Sequence, residues 1–163
     1  MSKLKLFQII RHTNPKLAME QKGSGEFPAE HHAFYLKFEK WRKEMLAANQ
    51  YPNGVYRLLS PKKKINRLIG TDEEGIMYIG KGDILSSSTR VGKFVNALKN
   101  TEQEHHGGSR YFTNLIKAQY PIEDLMIHIR LVKDPEGQEK KELKAYLDTF
   151  GELPPFNRAM AGG

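Results

Sequence analysis

The sequence predicts an α+β fold, in which a small mixed β-sheet is flanked by helices, and three observations lead to it. Residues 55–59 and 125–131 carry the β-branched and alternating apolar residues that are typical of strands. Several other segments repeat apolar residues at helical spacing. Along the 163 residues these elements follow one another as helix, strands, helix, helix, strand and helix, which indicates helices and strands around one core.

The first predicted helix covers roughly residues 31–49. Its apolar stripe consists of Phe34, Phe38, Trp41 and Met45, and Pro52 follows its end. The residues before it are rich in Pro and Gly and show no sustained period, so we expect an arm or loop there. We therefore divide the chain into an N-terminal extension, residues 1–50, and a main domain, residues 51–163.

Turn and cap residues set the other predicted elements. Residues 65–69 and 75–79 flank the polar segment 70–74, which suggests a hairpin or two short adjacent strands. The Ser and Thr residues at 86–89 predict the start of a helix over 89–100, and a further helix is expected over about 109–119. Asp134 followed by Pro135 opens the last helix, and Gly151 closes it.

The composition points to a polyanionic partner. Lys and Arg outnumber Asp and Glu by 26 to 19, and the excess lies in residues 1–100, which hold 18 basic residues against 9 acidic ones. Such a distribution favours nucleic acid, because phosphate neutralisation releases counterions. The absence of cysteine excludes disulfides and thiol chemistry. No apolar run approaches the roughly 20 residues that a membrane span needs, so we expect a cytoplasmic protein without membrane contact.

Two short strings place a tyrosine on a predicted strand beside a glycine. They are Gly54-Val55-Tyr56 and Tyr78-Ile79-Gly80, and Arg90 follows near the start of the predicted 89–100 helix. Leu153-Pro154-Pro155-Phe156-Asn157 follows the last helix. In this order the residues resemble the signature of the GIY-YIG endonuclease family, with Val55 where the family usually has isoleucine. The resemblance covers about residues 54–157, and it implies the small nuclease-like sheet and helices of that family.

The resemblance also implies a glutamate on the last helix, and two candidates stay open. Glu139 continues the apolar stripe of that helix to within ~30° of its centre and would face the interior. Glu142 lies about 90° away, at the predicted boundary with solvent. An interior carboxylate is costly unless it binds a cation, which favours Glu139. Glu142 is retained as the alternate carboxylate.

From the resemblance we expect a metal-dependent hydrolase that cleaves DNA phosphodiester bonds. One Mg²⁺, or Mn²⁺, on Glu139 would keep several waters and leave room for the scissile phosphate. Arg90 would stabilise charge on phosphorus, Tyr56 would orient or deprotonate the attacking water, and Tyr78 would position water or phosphate. Asn157 would brace the site by hydrogen bonds.

Basic residues that lie between and just after the two tyrosine strings are the predicted contacts to the DNA backbone: Arg57, Lys62, Lys63, Lys64, Arg67 and Lys81. The alternative hypothesis is a nucleic-acid-binding module that keeps the fold without cleavage. About 50 residues outside the resemblance leave little room for a specificity domain, which suggests a compact nuclease or one that works as a homo-oligomer.

Overall fold

The computed structural model describes residues 23–86, 89–99 and 114–160. Within these ranges it contains six strands and four α-helices, together with a 3₁₀ turn at Ile122–Asp124. The strands are β1 Ser24–Pro28, β2 Asn53–Leu59, β3 Ile65–Asn66, β4 Thr71–Asp72, β5 Ile76–Asp83 and β6 Met126–Leu131. The helices are α1 His31–Ala47, α2 Arg90–Lys99, α3 Asn114–Gln119 and α4 Pro135–Phe150.

Four of the strands form one sheet in the order β1-β6-β2-β5. Every pairing in this sheet is antiparallel, whereas the sequence predicted a mixed sheet. Successive side chains point to opposite faces of the sheet in both kinds of pairing, so the alternation along β6 does not by itself fix the direction of its neighbours. Strand β2 lies inside the sheet and pairs with β5 on one side and with β6 on the other.

Strand β1 lies in a segment that the sequence analysis assigned to an arm or loop. It pairs with β6 from Ser24 opposite Arg130 to Pro28 opposite Met126, and so forms an edge of the sheet. Helix α1 packs on it, with the ring centroids of Phe34 and Phe38 5.6 and 5.7 Å from that of Phe27. Residues 24–47 therefore share the sheet and the core of the following residues.

The hairpin also differs from its prediction. Strands β3 and β4 form a separate two-stranded sheet, in which Ile65 pairs with Asp72, while β5 pairs with β2 instead. The buried Asp72 accounts for this arrangement, because its carboxylate accepts hydrogen bonds from the backbone N–H groups of residues 74–76 and from the Tyr146 hydroxyl. A residue expected in a turn is thus fixed inside the protein.

The helices agree with the sequence pattern more closely. Helix α4 is capped by Asp134, whose side chain accepts from the N–H of Gly137 at 3.0 Å, and Gly151 ends it in the left-handed conformation with φ of 73°. Residues 109–113 of the predicted third helix lie outside the described residues. None of the helices in the described ranges combines the length and the apolar character that crossing a membrane requires.

Opposite faces of the sheet carry different helices. The face with Tyr56, Leu58 and Tyr78 packs against the core that includes Phe94 of α2. The other face carries Ile76 and Ile79, which pack against Leu143, Tyr146 and Phe150 of α4. Side chains from α2 and α4 consequently approach the sheet from its two sides.

Candidate active site

The two tyrosines of the sequence strings lie side by side on neighbouring strands. Tyr56 on β2 is 0% exposed and Tyr78 on β5 is 8% exposed, and their ring centroids are 6.0 Å apart. The ring of Phe94 stacks on Tyr78 at 5.0 Å and also contacts Tyr56 at 5.3 Å. Phe94 on α2 therefore supports both phenol rings.

Gly80 makes room for this pair of rings. A Cβ atom at this position would stand 2.7 Å from the ring carbons of both tyrosines and 2.8 Å from the Tyr56 hydroxyl oxygen. Real Cβ atoms do not approach other atoms this closely, so the ring of Tyr56 occupies space that only glycine leaves open. The glycine of the second string is thus required by the tyrosine of the first.

Arg90 reaches the same place from α2. Arg90 is the first residue of that helix, and its side chain packs against Gly82. If residue 82 carried a Cβ atom, that atom would stand 2.6 Å from the Cβ of Arg90. Gly82 has a φ of +150°, a backbone conformation that suits glycine. The positive charge of Arg90 is close enough to lower the pKa of Tyr56, although other effects outweigh it.

Glu139 is the acidic member of the group. It lies in the second turn of α4 and is 5% exposed, as its place on the apolar stripe predicted. Its charge acts on Tyr56 and raises the pKa of that hydroxyl. Tyr56 thus lies within electrostatic reach of Tyr78, Arg90 and Glu139, which come from a second strand and two helices that are distant in sequence.

The Tyr56 hydroxyl is neutral in this environment. Burial is the largest effect and raises its pKa well above the usual value near 10. The neighbouring Tyr78, which also shares a side-chain hydrogen bond with it, raises this pKa further, and Arg90 opposes the shift only in part. Tyr56 can therefore hydrogen-bond to a reacting water, but burial disfavours the phenolate that would take a proton from it.

Glu142 lies elsewhere than predicted. It is 3% exposed and not at the boundary with solvent, and its carboxylate binds the guanidinium groups of Arg57 on β2 and Arg130 on β6. The helical wheel was misleading here because α4 faces a sheet that carries arginines as well as apolar residues. Since two cations already engage this carboxylate, we retain Glu139 alone as the candidate metal ligand.

Asn157 holds the second string from the outer edge of the sheet. Its side-chain oxygen accepts a hydrogen bond from the N–H of Ile79 at 2.9 Å, and its amide nitrogen donates to the carbonyl of Ile79, also at 2.9 Å. The N–H of Phe156 donates to the carbonyl of Met77 at 2.9 Å. The segment after α4 thereby satisfies the edge of β5, and Asn157 acts on the backbone between Tyr78 and Gly80.

The predicted DNA contacts fall into two groups. Lys62, Lys63 and Lys64 are exposed on the segment after β2, and Lys81 is 28% exposed with its Nζ 3.8 Å from a carboxylate oxygen of Glu136. Arg57 and Arg67 differ, because each side chain is only 11% exposed, and they are held by Glu142 and Glu152 respectively. We therefore keep only the lysines as candidate contacts to a DNA backbone.

A surface depression of about 510 Å³ lies beside the cluster. Arg90 and Lys81 form part of its wall, and the first turn of α4 forms another part. The other lining residues are Asn53, Gly82, Asp83, Asp134, Pro135 and Glu136. Arg90 therefore belongs to the wall of this depression and also lies within electrostatic reach of the buried Tyr56.

The donor set suits a hard cation. Carboxylate and phenol oxygens are the only side-chain donors that the four clustered residues offer, and Mg²⁺ prefers oxygen ligands and commonly binds through one carboxylate plus waters and substrate phosphates. The described residues contain no group of three or more His, Cys, Asp or Glu side chains able to hold a metal. An ion of this kind at Glu139 would need waters to complete its coordination.

Neither family models nor curated proteins nor solved structures gave a match to this chain.

Proposed function

We propose that this protein is a metal-dependent DNA endonuclease of the GIY-YIG type, which hydrolyses phosphodiester bonds. The observation that supports the proposal most directly is that the Tyr56 phenol lies within electrostatic reach of a second phenol, a guanidinium and a carboxylate, and that the guanidinium, Arg90, also lines a surface depression. These are groups that can orient water, neutralise phosphate charge and hold a divalent cation. The excess of basic residues before residue 100 suits a nucleic-acid substrate.

We assign Arg90 to binding the scissile phosphate and stabilising its charge. Its guanidinium is planar and permanently charged, and it matches the spacing of phosphate oxygens. The base of the Arg90 side chain lies so close to Gly82 that a Cβ atom on residue 82 would stand 2.6 Å from the Arg90 Cβ. A cation held at the scissile phosphate stabilises the charge that develops on phosphorus during water attack.

We assign the two tyrosines to orienting the attacking water and positioning the phosphate. Because burial keeps Tyr56 protonated, we assign it to orienting the attacking water by a hydrogen bond and not to removing its proton. Tyr78, at hydrogen-bonding distance from Tyr56 and the more exposed of the two, positions water or a phosphate oxygen.

Glu139 would hold Mg²⁺ or Mn²⁺. Such an ion lowers the pKa of bound water and stabilises negative charge on the phosphate. The burial of Glu139 strengthens this interaction, because the surroundings have a lower dielectric constant than water.

A nicking assay on supercoiled plasmid, with and without Mg²⁺, tests the proposal. The wild-type protein should convert supercoiled to open-circular DNA only with the metal. Glu139→Gln should abolish this activity, because the neutral amide binds a divalent cation poorly. Arg90→Ala should lower the rate on the order of 10²-fold or more, with little loss of DNA affinity.

Two variants serve as matched controls. Lys93→Ala removes an exposed positive charge one turn after Arg90, and Asp148→Asn neutralises an exposed carboxylate on the same helix as Glu139. Both should nick at the wild-type rate. Full activity in Glu139→Gln and Arg90→Ala would refute the proposed site. A wild-type protein that binds DNA in a salt-sensitive manner but never nicks it would instead support the non-catalytic binding module.

A further inference from the structure

A buried ionic cluster connects α4 to the sheet on the face opposite the tyrosines. Glu142 binds Arg57 through both carboxylate oxygens, and the contact from Arg57 Nε to Oε2 measures 3.4 Å. Nη2 of Arg130 lies 3.6 Å from Oε1, and Gln138 donates to the same oxygen at 3.3 Å. The side chains of Glu142, Arg57 and Arg130 are only 4%, 11% and 14% exposed, so water screens these contacts weakly.

The cluster lies where α4 has no apolar anchor. The buried apolar residues of this helix, Leu143, Tyr146 and Phe150, all belong to its C-terminal half. In the half that contains Glu139, the buried side chains are Glu139 itself and Glu142. Lys140 and Lys141 are exposed, whereas the contacts of Glu142 with Arg57 and Arg130 fasten this half of the helix to the sheet.

A small rotation of α4 about its axis would displace the Glu139 carboxylate at the candidate site. A side chain at the surface of a helix lies about 5–6 Å from its axis, so a rotation of about 10° moves a carboxylate by about 1 Å. Glu139 precedes Glu142 by three residues and lies on a neighbouring part of the helix surface. A misplacement of about 1 Å in a reacting group can cost on the order of 10² in rate.

The register of the sheet relates this cluster to Tyr56. Arg57 follows Tyr56 on β2 and points to the opposite face, and Arg130 is carried by the neighbouring strand β6. Glu142 is therefore bound by one arginine on β2, the strand that carries Tyr56, and by another on β6, the strand that pairs with β2.

We infer that Glu142, held by Arg57 and Arg130, is a positioning residue that sets Glu139 of α4 against Tyr56. The catalytic meaning of this inference rests on the proposed nuclease function, whereas its geometric content does not. A buried ion pair contributes little net stability compared with apolar residues of similar volume, so stability alone gives no reason for three charged side chains here.

Two variants separate positioning from packing. Glu142→Gln keeps the shape of the side chain and removes its charge. The triple variant Arg57→Met, Arg130→Met and Glu142→Leu replaces the cluster by apolar groups, which such sites often tolerate without loss of stability. The matched control is Lys144→Ala, which breaks an exposed ion pair to Asp148 on the same helix.

Each variant would be characterised by urea unfolding, plasmid nicking and a crystal structure. In Glu142→Gln and in the triple variant we expect kcat to fall about 10- to 100-fold while KM for DNA stays within about twofold. The crystal structures should show the Glu139 carboxylate displaced from the Tyr56 hydroxyl by about 1 Å. Lys144→Ala should match the wild type in kcat, KM and geometry.

The outcomes are distinct. If Glu142→Gln or the triple variant kept the wild-type kcat, or held Glu139 in its wild-type position, the positioning role would be wrong. A triple variant that is as stable as the wild type and yet slow would exclude a purely structural role. If the wild-type protein nicked no DNA, the proposed function would fail, while the displacement of Glu139 in the crystals would still decide the inference.

Discussion

At the scale of single residues, burial determines the chemistry of Tyr56. Removal from solvent raises the pKa of this hydroxyl most, and the neighbouring Tyr78 and the charge of Glu139 raise it further. The positive charge of Arg90 lowers the pKa. In the unfolded chain the same group has a pKa of about 10. Folding thus binds this proton more tightly, which makes stability depend on pH in the alkaline range.

The first prediction concerns this dependence. The contribution of the Tyr56 proton to stability is complete below about pH 10 and is lost as pH rises toward the higher pKa of the folded state. The free energy of unfolding should therefore fall above about pH 10, by up to about 1.4 kcal/mol per pH unit from this residue. Urea unfolding of wild type and Tyr56→Phe between about pH 9 and pH 11 measures the difference between the two slopes.

Tyr51→Phe is the control for this measurement, because Tyr51 is 47% exposed. It should follow the wild-type slope, while Tyr56→Phe should be less steep. Equal slopes for wild type and Tyr56→Phe would mean that the Tyr56 proton is not held more tightly in the folded protein.

The sequence pattern predicted the burial of Glu139 but not the burial of Glu142. The apolar stripe of α4 includes the position of Glu139, so its burial could be predicted from the period of the helix. Glu142 lies off that stripe, and only the position of its partners explains its burial. A signal was present in the strands, since Arg57 and Arg130 each interrupt an apolar run and a buried arginine needs an anion. Which acidic residue supplies it depends on tertiary packing.

For helices and strands, capping residues predicted the ends of α4, whereas the hydrophobic pattern did not predict strand β1. Asp134, Pro135 and Gly151 specify both ends of α4, because each satisfies a backbone requirement that the helix creates locally. Strand β1 has no such signal: its sequence, Ser-Gly-Glu-Phe-Pro, contains one buried apolar residue, Phe27. It is a strand because the edge of β6 is available for pairing, which no local pattern reveals.

The segment after α4 gives a prediction at this scale. Asn157→Ala removes two hydrogen bonds to the backbone of Ile79, so the edge of β5 loses its side-chain partner between Tyr78 and Gly80. We expect the free energy of unfolding to fall by about 1–3 kcal/mol and the Ile79 amide to exchange its hydrogen faster. Urea unfolding and hydrogen exchange followed by NMR measure the two effects.

Asn66→Ala provides the comparison, because Asn66 is exposed on β3 and its side chain accepts only one long contact, from Thr71 at 3.3 Å. Its effect should stay within about 0.5 kcal/mol. An Asn157→Ala variant with an unchanged Ile79 exchange rate would show that the edge of β5 does not depend on this side chain.

At the scale of the whole molecule, the sheet joins the predicted N-terminal extension to the rest of the chain. Strand β1 covers the edge of β6, and the other neighbour of β6 is β2, the strand of the first tyrosine string. Phe34 and Phe38 of α1 belong to the same core as Tyr56 and Phe94. The described residues therefore support the candidate site with elements from both sides of the boundary predicted at residue 50.

The last prediction follows from this shared core. A fragment comprising residues 51–163 would lose the partner of β6 and expose apolar surface that Phe27, Phe34 and Phe38 now cover, so we expect it not to unfold cooperatively. Within the full chain, Phe34→Ala should cost about 3–5 kcal/mol, whereas Leu36→Ala, at a side chain that is 67% exposed, should cost under about 0.5 kcal/mol. Circular dichroism melting of the fragment and urea unfolding of the variants measure these effects. A monomeric fragment with a sharp transition would instead establish residues 51–163 as an independent domain, because its core would then be complete without α1.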